Sequence, residues 1–553
     1  MIDAIQTSVI ILILALVITI GRLFAPYVTR VFARAPSRID RILNPLENLI
    51  YRVGGVNPIH YMDWKQYTFS LILLNVFQMA LAFLIFVFQD RLPLNPQGFP
   101  GLTWDLAFMQ VISFATNTNL QHYNGEITLS YLSQMSAVQF LQFTSAASGL
   151  CAAIAMVRGF KAGSKDLGNF YVDFVRSLTR ILFPLCFVAA LIFVWLGVPQ
   201  TLSGYTAVKT VEGATQLILV GPVASLVSIM QIGTNGGGYY GANSAYPFQN
   251  PNPASDIFQI ILMLLLPTVL CFVYGEVLGK RRESRPILWA SYGLFAIDLI
   301  IAFIPTPSLV LGQGMEVRFG GFFSAFWTVV TTAVTTGSIN ASLYGMHPLV
   351  ILAAFMGMLI QATPGGKGVG MMYMVMYVII TVFVVGLMSG RTPEYLGIKI
   401  GGRDVLLVMF TFLIHPIIIL IPTILAYSTG AANAIGVGGN SLGFTQILYE
   451  FTTAAANNGS DFFGASANTP FFNISTGLVM FVGRFGPIVL LLMLAGSMIG
   501  RKRHADVGLR TDSITFSIVL VGSTLILVVL TFFPFLALGP ILSFFQGHLN
   551  GFG

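Results

Sequence analysis

The sequence predicts an all-α polytopic membrane protein with ten transmembrane helices, in which four pseudo-repeated helix, pore-loop, helix units surround a central pore. Three observations predict this. Of 553 residues, 55% are hydrophobic and 9% charged, where soluble domains carry about 25% charged residues. Ten apolar runs follow one another along the chain, each near the length of about 20 residues that crosses a bilayer. Four loops on one side repeat a single pattern: a weakly apolar segment too short or too polar to span, then a tetrapeptide rich in glycine, threonine or asparagine.

The first run, near 7–27, follows the leader MIDAIQT, which holds an aspartate and no lysine or arginine. The basic residues come afterwards, at Arg22, Arg30, Arg34, Arg38 and Arg41. A secretory signal has the opposite polarity, so this run reads as a retained helix with its N-terminus outside. Further runs lie near 66–89, 131–157, 178–198, 255–279, 287–306, 346–389 (interrupted), 404–427, 473–499 and 514–545. Loop charge supports the count independently, because cytoplasmic loops concentrate lysine and arginine. Segments 22–65, 158–180, 280–285, 391–403 and 501–510 hold 23 of the 28 basic residues, whereas the alternate loops hold only Arg91, Lys209 and Arg318. Both termini therefore fall outside. The net charge of +7 follows from this topology and requires no nucleic-acid partner. Cys151, Cys186 and Cys271 lie within apolar runs and show no CxxC or Cys/His spacing, so they read as small helix residues rather than disulfide or zinc partners.

The four repeated segments read TWDLAFMQVISFA-TNTN, PVASLVSIMQIG-TNGG, FSAFWTVVTTAV-TTGS and FTQILYEFTTAAA-NNGS. Centred on Asn117, Asn235, Thr336 and Asn458, they recur at 118, 101 and 122 residues, an internal fourfold repeat. The chain accordingly divides into a first helix and loop (1–62), four units (63–165, 166–284, 285–400 and 401–510) and a last helix (511–553). One TNGGG or ANNGS alone is an ordinary loop turn; four at matching places in a repeat argue for a common site. Non-helical backbone at membrane depth is tolerated where it lines a cavity or is buried in protein. Four extended segments facing an axis would offer a ring of carbonyls able to replace the hydration shell of a monovalent cation. Gly236, Gly337 and Gly459 suit the backbone angles this needs, and matching centres put Thr118 at the equivalent place in the first unit.

SFATNTN, GTNGGGYYGANSAYPFQNPN, TTGSIN and AAANNGSDFFGASANTPFFN, with GRTPEYLG at 390–397, resemble the potassium-binding A subunit of the Kdp potassium-transporting ATPase, over essentially the whole chain. That family is similar to the wider superfamily of potassium transporters built from four helix, pore-loop, helix units. The resemblance implies a multi-pass protein of a bacterial or archaeal plasma membrane and potassium as the transported ligand. Carried over by residue, the filter falls on Thr116, Asn117, Thr118 and Asn119, on Thr234, Asn235 and Gly236, on Thr335, Thr336 and Gly337, and on Asn457, Asn458 and Gly459. The third segment departs from the family's Ser-Cys-Gly, which leaves its discrimination among cations open. Gln121, just past the first segment, reads equally as a support for the filter and as a vestibule residue.

The stretch IQATPGGKGVGMMY, 360–373, interrupts the second helix of the third unit with Pro364 and the glycines Gly365, Gly366 and Gly368, and carries Lys367 near membrane depth. Two readings stand: an intramembrane gate beneath the filter, as the resemblance implies, or an interfacial kink with the lysine snorkelling to water. A phosphate-loop reading fails, because the GxxxxGK[ST] frame and a preceding strand are missing. Arg484, the other intramembrane charge, reads as a functional residue, which the resemblance implies lies near the ion's exit route, or as a structural arginine satisfying carbonyls. Arg391, in GRTPEYLG, would anchor the gate helix or contact a partner. His415, before Pro416, reads as a packing residue.

No Walker A or DKTG motif occurs, nor a soluble domain able to bind ATP, so catalytic residues and a cofactor site are not expected here. The resemblance implies that the P-type ATPase B subunit supplies the energy, with C and small F subunits completing the complex, and that the ion passes sideways to the B subunit through an intramembrane tunnel. Two other classes remain at this stage. One is a self-sufficient potassium channel or ion-gradient-driven transporter of the same superfamily. The other is a membrane-embedded enzyme, which calls for buried histidine and carboxylate pairs. Acidic residues in the spans are few, chiefly Glu276 and Asp298.

Overall fold

The apolar runs fold as helices whose ends are marked by capping chemistry. In the computed structural model, which describes residues 4–305, 314–366, 368–437, 441–503, 510–542 and 544–545, ten helices are long and apolar enough to cross a membrane. In chain order the helices used below are α1 (Ala4–Phe32), α2 (Trp64–Val87), α3 (Trp104–Ala115), α4 (Tyr131–Phe160), α5 (Phe170–Trp195), α6 (Val223–Ile232), α7 (Pro253–Leu278), α8 (Arg281–Phe303), α9 (Gly320–Ala333), α10 (Pro348–Ile360), α11 (Val369–Met388), α12 (Gly402–Ser428), α13 (Ser441–Ala455), α14 (Pro470–Met498) and α15 (Ile514–Ile541). The second helices of units two, three and four each begin with a capping side chain followed by proline, at Asn252-Pro253, His347-Pro348 and Thr469-Pro470. The cap satisfies an end N–H, and proline has none to leave unpaired.

The four short segments are helices α3, α6, α9 and α13, one per unit. Burial separates inner from outer helices. In the most apolar stretch of α4, α7, α11 and α14, the second helices of the units, 89, 78, 72 and 61% of residues are buried; in α2, α5, α8 and α12, the first helices, the figures are 39, 39, 44 and 44%. The second helices therefore line the centre and the first helices face outward, with α1 and α15 the outermost at 28 and 33%. Among the described residues, sheet is confined to two hairpins, Thr206–Lys209 with Thr215–Ile218 and Glu394–Tyr395 with Ile398–Lys399.

The arginine-rich end is tied by ion pairs between separate elements. Arg158 on α4 pairs with Asp173 on α5 at 2.5 Å, and Tyr67 on α2 donates to the same carboxylate at 3.0 Å. Arg180 pairs with Glu47 at 2.6 Å, and Arg501 pairs with Asp404 at 2.7 Å. Opening such a buried pair leaves an uncompensated charge, so these contacts hold the helices in fixed register at that face.

Candidate ion-binding site

Each of the four short helices stops one residue before, or at, its polar segment, and the backbone then turns in the same way four times. Asn117, Thr234, Thr335 and Asn457 have φ of 64, 39, 46 and 53°, and Asn119, Gly236, Gly337 and Gly459 have φ of 60, 90, 91 and 100°. Thr118, Asn235, Thr336 and Asn458 sit between them, and their N–H groups donate to Ser113, Met230, Thr331 and Thr453, five residues back in every case, at 2.9, 2.9, 2.7 and 2.9 Å. In ordinary extended backbone successive carbonyls point to opposite sides. Alternating left-handed residues turn them toward the same side, which is what a carbonyl-lined passage needs.

This register corrects one expectation. The residue that replaces glycine in the first unit is Asn119, not Thr118, because Asn117 matches Thr234 rather than Asn235. The physical reason is that asparagine tolerates the left-handed region better than other residues bearing a Cβ. The first segment therefore makes with two asparagines the turn that the others make with glycine at the third position.

The segments close into a ring. A Cβ placed on Gly236 would overlap the carbonyl of Thr336, one on Gly337 that of Asn458, and one on Gly459 that of Thr118. Asn117 Nδ2 donates to Thr234 O at 2.7 Å, which joins the first segment to the second. Asn458 Nδ2 reaches Thr331 O at 2.9 Å, and Asn457 Nδ2 reaches Thr118 Oγ1 at 2.9 Å. Helix α4 braces this ring: Ser145 Oγ donates to Asn117 Oδ1 at 3.1 Å, and Gln142 Nε2 donates to Asn119 Oδ1 at 3.0 Å and Gly237 O at 2.9 Å. Thr116 supports the middle residue through a 2.8 Å hydroxyl contact with Thr118. The four helices end at the ring, so the negative ends of their dipoles face it.

The interrupted third unit lies against this ring. The described residues of 361–370 are buried. A Cβ on Gly366 would overlap Thr335 Oγ1 and meet Val334 O at 2.9 Å, and Thr363 Oγ1 donates to Ala333 O at 3.5 Å. A Cβ on Gly368 would overlap Gly149 O on α4. Gly365 takes φ of 67° at the turn. The loop thus fills the space between the third segment and α4, while Lys367 lies outside the described residues. Arg484 is buried on α14, one turn past Met480, whose carbonyl accepts from Asn457 Nδ2 at 3.1 Å. Its Nη2 reaches Ser145 O at 3.4 Å. Arg391 is exposed beside the Glu394–Lys399 hairpin, away from the ring.

A family model described as the potassium-transporting ATPase A subunit matches residues 11–545. The chain belongs to the family of potassium-transporting ATPase A subunits. Potassium is the ion this family transports. The fold is also similar to that of the potassium transporter TrkH from Vibrio parahaemolyticus, whose crystal structure matches with a TM-score of 0.54 at 15% identity, over 87% of this chain and 98% of the transporter. At that identity the likeness shows the shared fold.

In this A-subunit family member, Gln121 braces the ring rather than facing solvent alone. Its Oε1 accepts from Gly238 N at 2.9 Å and its Nε2 donates to Gly238 O at 3.1 Å. His415 does pack, against Tyr373, but its Nε2 also meets Ala455 O at the end of α13 at 3.1 Å. One cluster escapes sequence reasoning. His122 Nε2 contacts Glu450 Oε1 at 3.1 Å, its Nδ1 faces Asn473 Oδ1 at 2.8 Å, and Asn473 Nδ2 donates to Asp105 at 2.8 Å. A buried histidine–carboxylate pair therefore does exist, assembled from the first and fourth pore loops. The sequence signal was Glu450 inside an otherwise uncharged short helix.

Burial disfavours the charged His122 ring, but the hydrogen bond and charge of Glu450 outweigh it, and the His122 pKa is raised. The stabilisation this supplies is full below the ordinary histidine value of about 6.5 and is lost as pH rises through the raised value. The thermal midpoint of the detergent-solubilised chain is expected to fall across that window, and Glu450→Gln is expected to flatten the fall. A wild-type midpoint that rises over the same window would contradict the assignment.

Proposed function

We propose that this chain is the potassium-binding and translocating subunit of an ATP-driven uptake pump. The observation that carries the reading is the fourfold alternation of left-handed residues around one ring. Potassium enters from outside, exchanges its water for the carbonyls of Thr116, Asn117, Thr118, Asn119, Thr234, Asn235, Gly236, Thr335, Thr336, Gly337, Asn457, Asn458 and Gly459, and binds there. The loop containing Gly365, Gly366 and Lys367 blocks direct passage. The packing of Gly366 under Thr335 supports this, because a loop seated there occupies the route straight through the ring.

The ion then leaves sideways past Arg484 into a tunnel leading to the P-type ATPase B subunit, with C and F subunits completing the complex. A buried guanidinium beside Ser145 O, with no carboxylate within ion-pair distance among the described residues, repels a cation from continuing inward and suits that deflection. Exposed Arg391 is free to meet a partner. Both termini lie outside and the arginine-rich face is cytoplasmic.

The test is potassium flux into liposomes containing this chain alone, compared with the complex given ATP. Flux near background for the chain alone, rising at least tenfold for the energised complex, is expected. Rapid flux through the isolated chain would instead make it a self-sufficient channel.

A further inference from the structure

Where α1 and α8 emerge at the arginine-rich face, they leave a cleft of about 720 Å³ floored by α7. Along the cleft α1 and α7 touch closely: a Cβ on Gly21 would lie 3.0 Å from Thr268 Cγ2. Ile18, Leu23 and Pro26 of α1, Phe272 of α7, and Leu288 and Trp289 of α8 make an apolar wall, and Arg22, Arg281, Arg282 and Arg285 crowd its mouth.

Three of these four arginines have no ion-pair partner among the described residues. Arg281 pairs with Glu276 at 2.8 Å. Arg22, Arg282 and Arg285 have no carboxylate within ion-pair distance among the described residues. The other polar groups of the cleft are already engaged: Ser284 Oγ donates to Phe272 O at 3.0 Å, and the Tyr292 and Thr268 hydroxyls meet at 2.7 Å. What the cleft offers a ligand is therefore positive charge above and hydrocarbon below. Trp289 is 60% exposed and Leu23 75% exposed, on helices whose outer faces meet lipid. Tryptophan at such a level marks the headgroup boundary.

We propose that this cleft binds an anionic phospholipid, with its phosphate held by Arg22, Arg282 and Arg285 and an acyl chain lying along Leu23, Leu288 and Trp289. Basic pockets between helices at a membrane face hold such headgroups, and each arginine near the surface strengthens binding about fivefold. A free phosphate would use the guanidiniums but leave the apolar wall unused. A zwitterionic lipid would use the wall and gain little from three unpaired positive charges.

The test is thermal stabilisation of the purified full chain, with native mass spectrometry of retained lipid, in three arms: phosphatidylglycerol, phosphatidylcholine and inorganic phosphate. Phosphatidylglycerol alone is expected to stabilise. The double variant Arg22→Gln, Arg285→Gln is expected to weaken that response at least tenfold, and Trp289→Ala to weaken it while leaving any response to inorganic phosphate unchanged. These side chains are exposed, and an unligated melting midpoint within a few degrees of wild type shows that each variant is folded. Equal stabilisation by phosphatidylcholine, equal stabilisation by inorganic phosphate, or full retention of phosphatidylglycerol by both variants would overturn the proposal.

Discussion

Gly236→Asp is expected to reduce the preference for potassium over sodium by about ten- to a hundredfold, the largest effect of any single substitution at the ring. Two causes act together. The residue sits at φ of 90°, where a side chain is strained, and its Cβ would overlap the Thr336 carbonyl, so the second and third segments must separate. The added carboxylate then supplies a flexible charged ligand that binds small cations as readily as large ones. Gly236→Ala separates the two causes, because it keeps the overlap and omits the charge. Competition between potassium and sodium, read by thermal stabilisation, measures both variants. An unchanged preference in Gly236→Asp would remove this residue from the site.

Gly366→Val is expected to raise passive potassium flux through the reconstituted chain at least tenfold. The loop seats under the third segment only because Gly366 has no Cβ to meet Thr335 Oγ1 and the Val334 carbonyl. A branched side chain there must push the loop away from the ring and open the straight path. Gly368→Val should act in the same direction by displacing the loop from the Gly149 carbonyl. Gly522→Ala is the control, since nothing lies within 4 Å of a Cβ there and the residue is not left-handed. Flux that stays at background in both loop variants would show that some other element closes the pathway.

The parts of this architecture legible in the sequence are those written in contiguous residues. Ten long apolar runs became ten candidate spans, and the four short segments became helices ending at polar turns, because length and hydropathy are local properties. The glycines Gly236, Gly337 and Gly459 marked left-handed positions, since only glycine meets them without strain. The first segment resisted this reasoning because Asn117 and Asn119 take the same angles with a Cβ present, and sequence matching aligned the wrong asparagine. The His122–Glu450 pair was illegible for another reason: its partners are 328 residues apart and meet only when the first and fourth units close the ring. The seating of Gly366 under Thr335 was likewise a matter of packing, with glycine clustering its only trace in the sequence.

The central claim is that four segments of this one chain form a potassium-selective ring. The most direct measurement is a titration of the purified chain with potassium, rubidium, ammonium and sodium, read by calorimetry and by thermal midpoint, because a ligand that binds the folded state raises its stability. Saturable stabilisation by potassium, with at most a weak response to sodium at the same concentration, is the predicted result. Equal responses to potassium and sodium, or none to either in a folded sample, would contradict it.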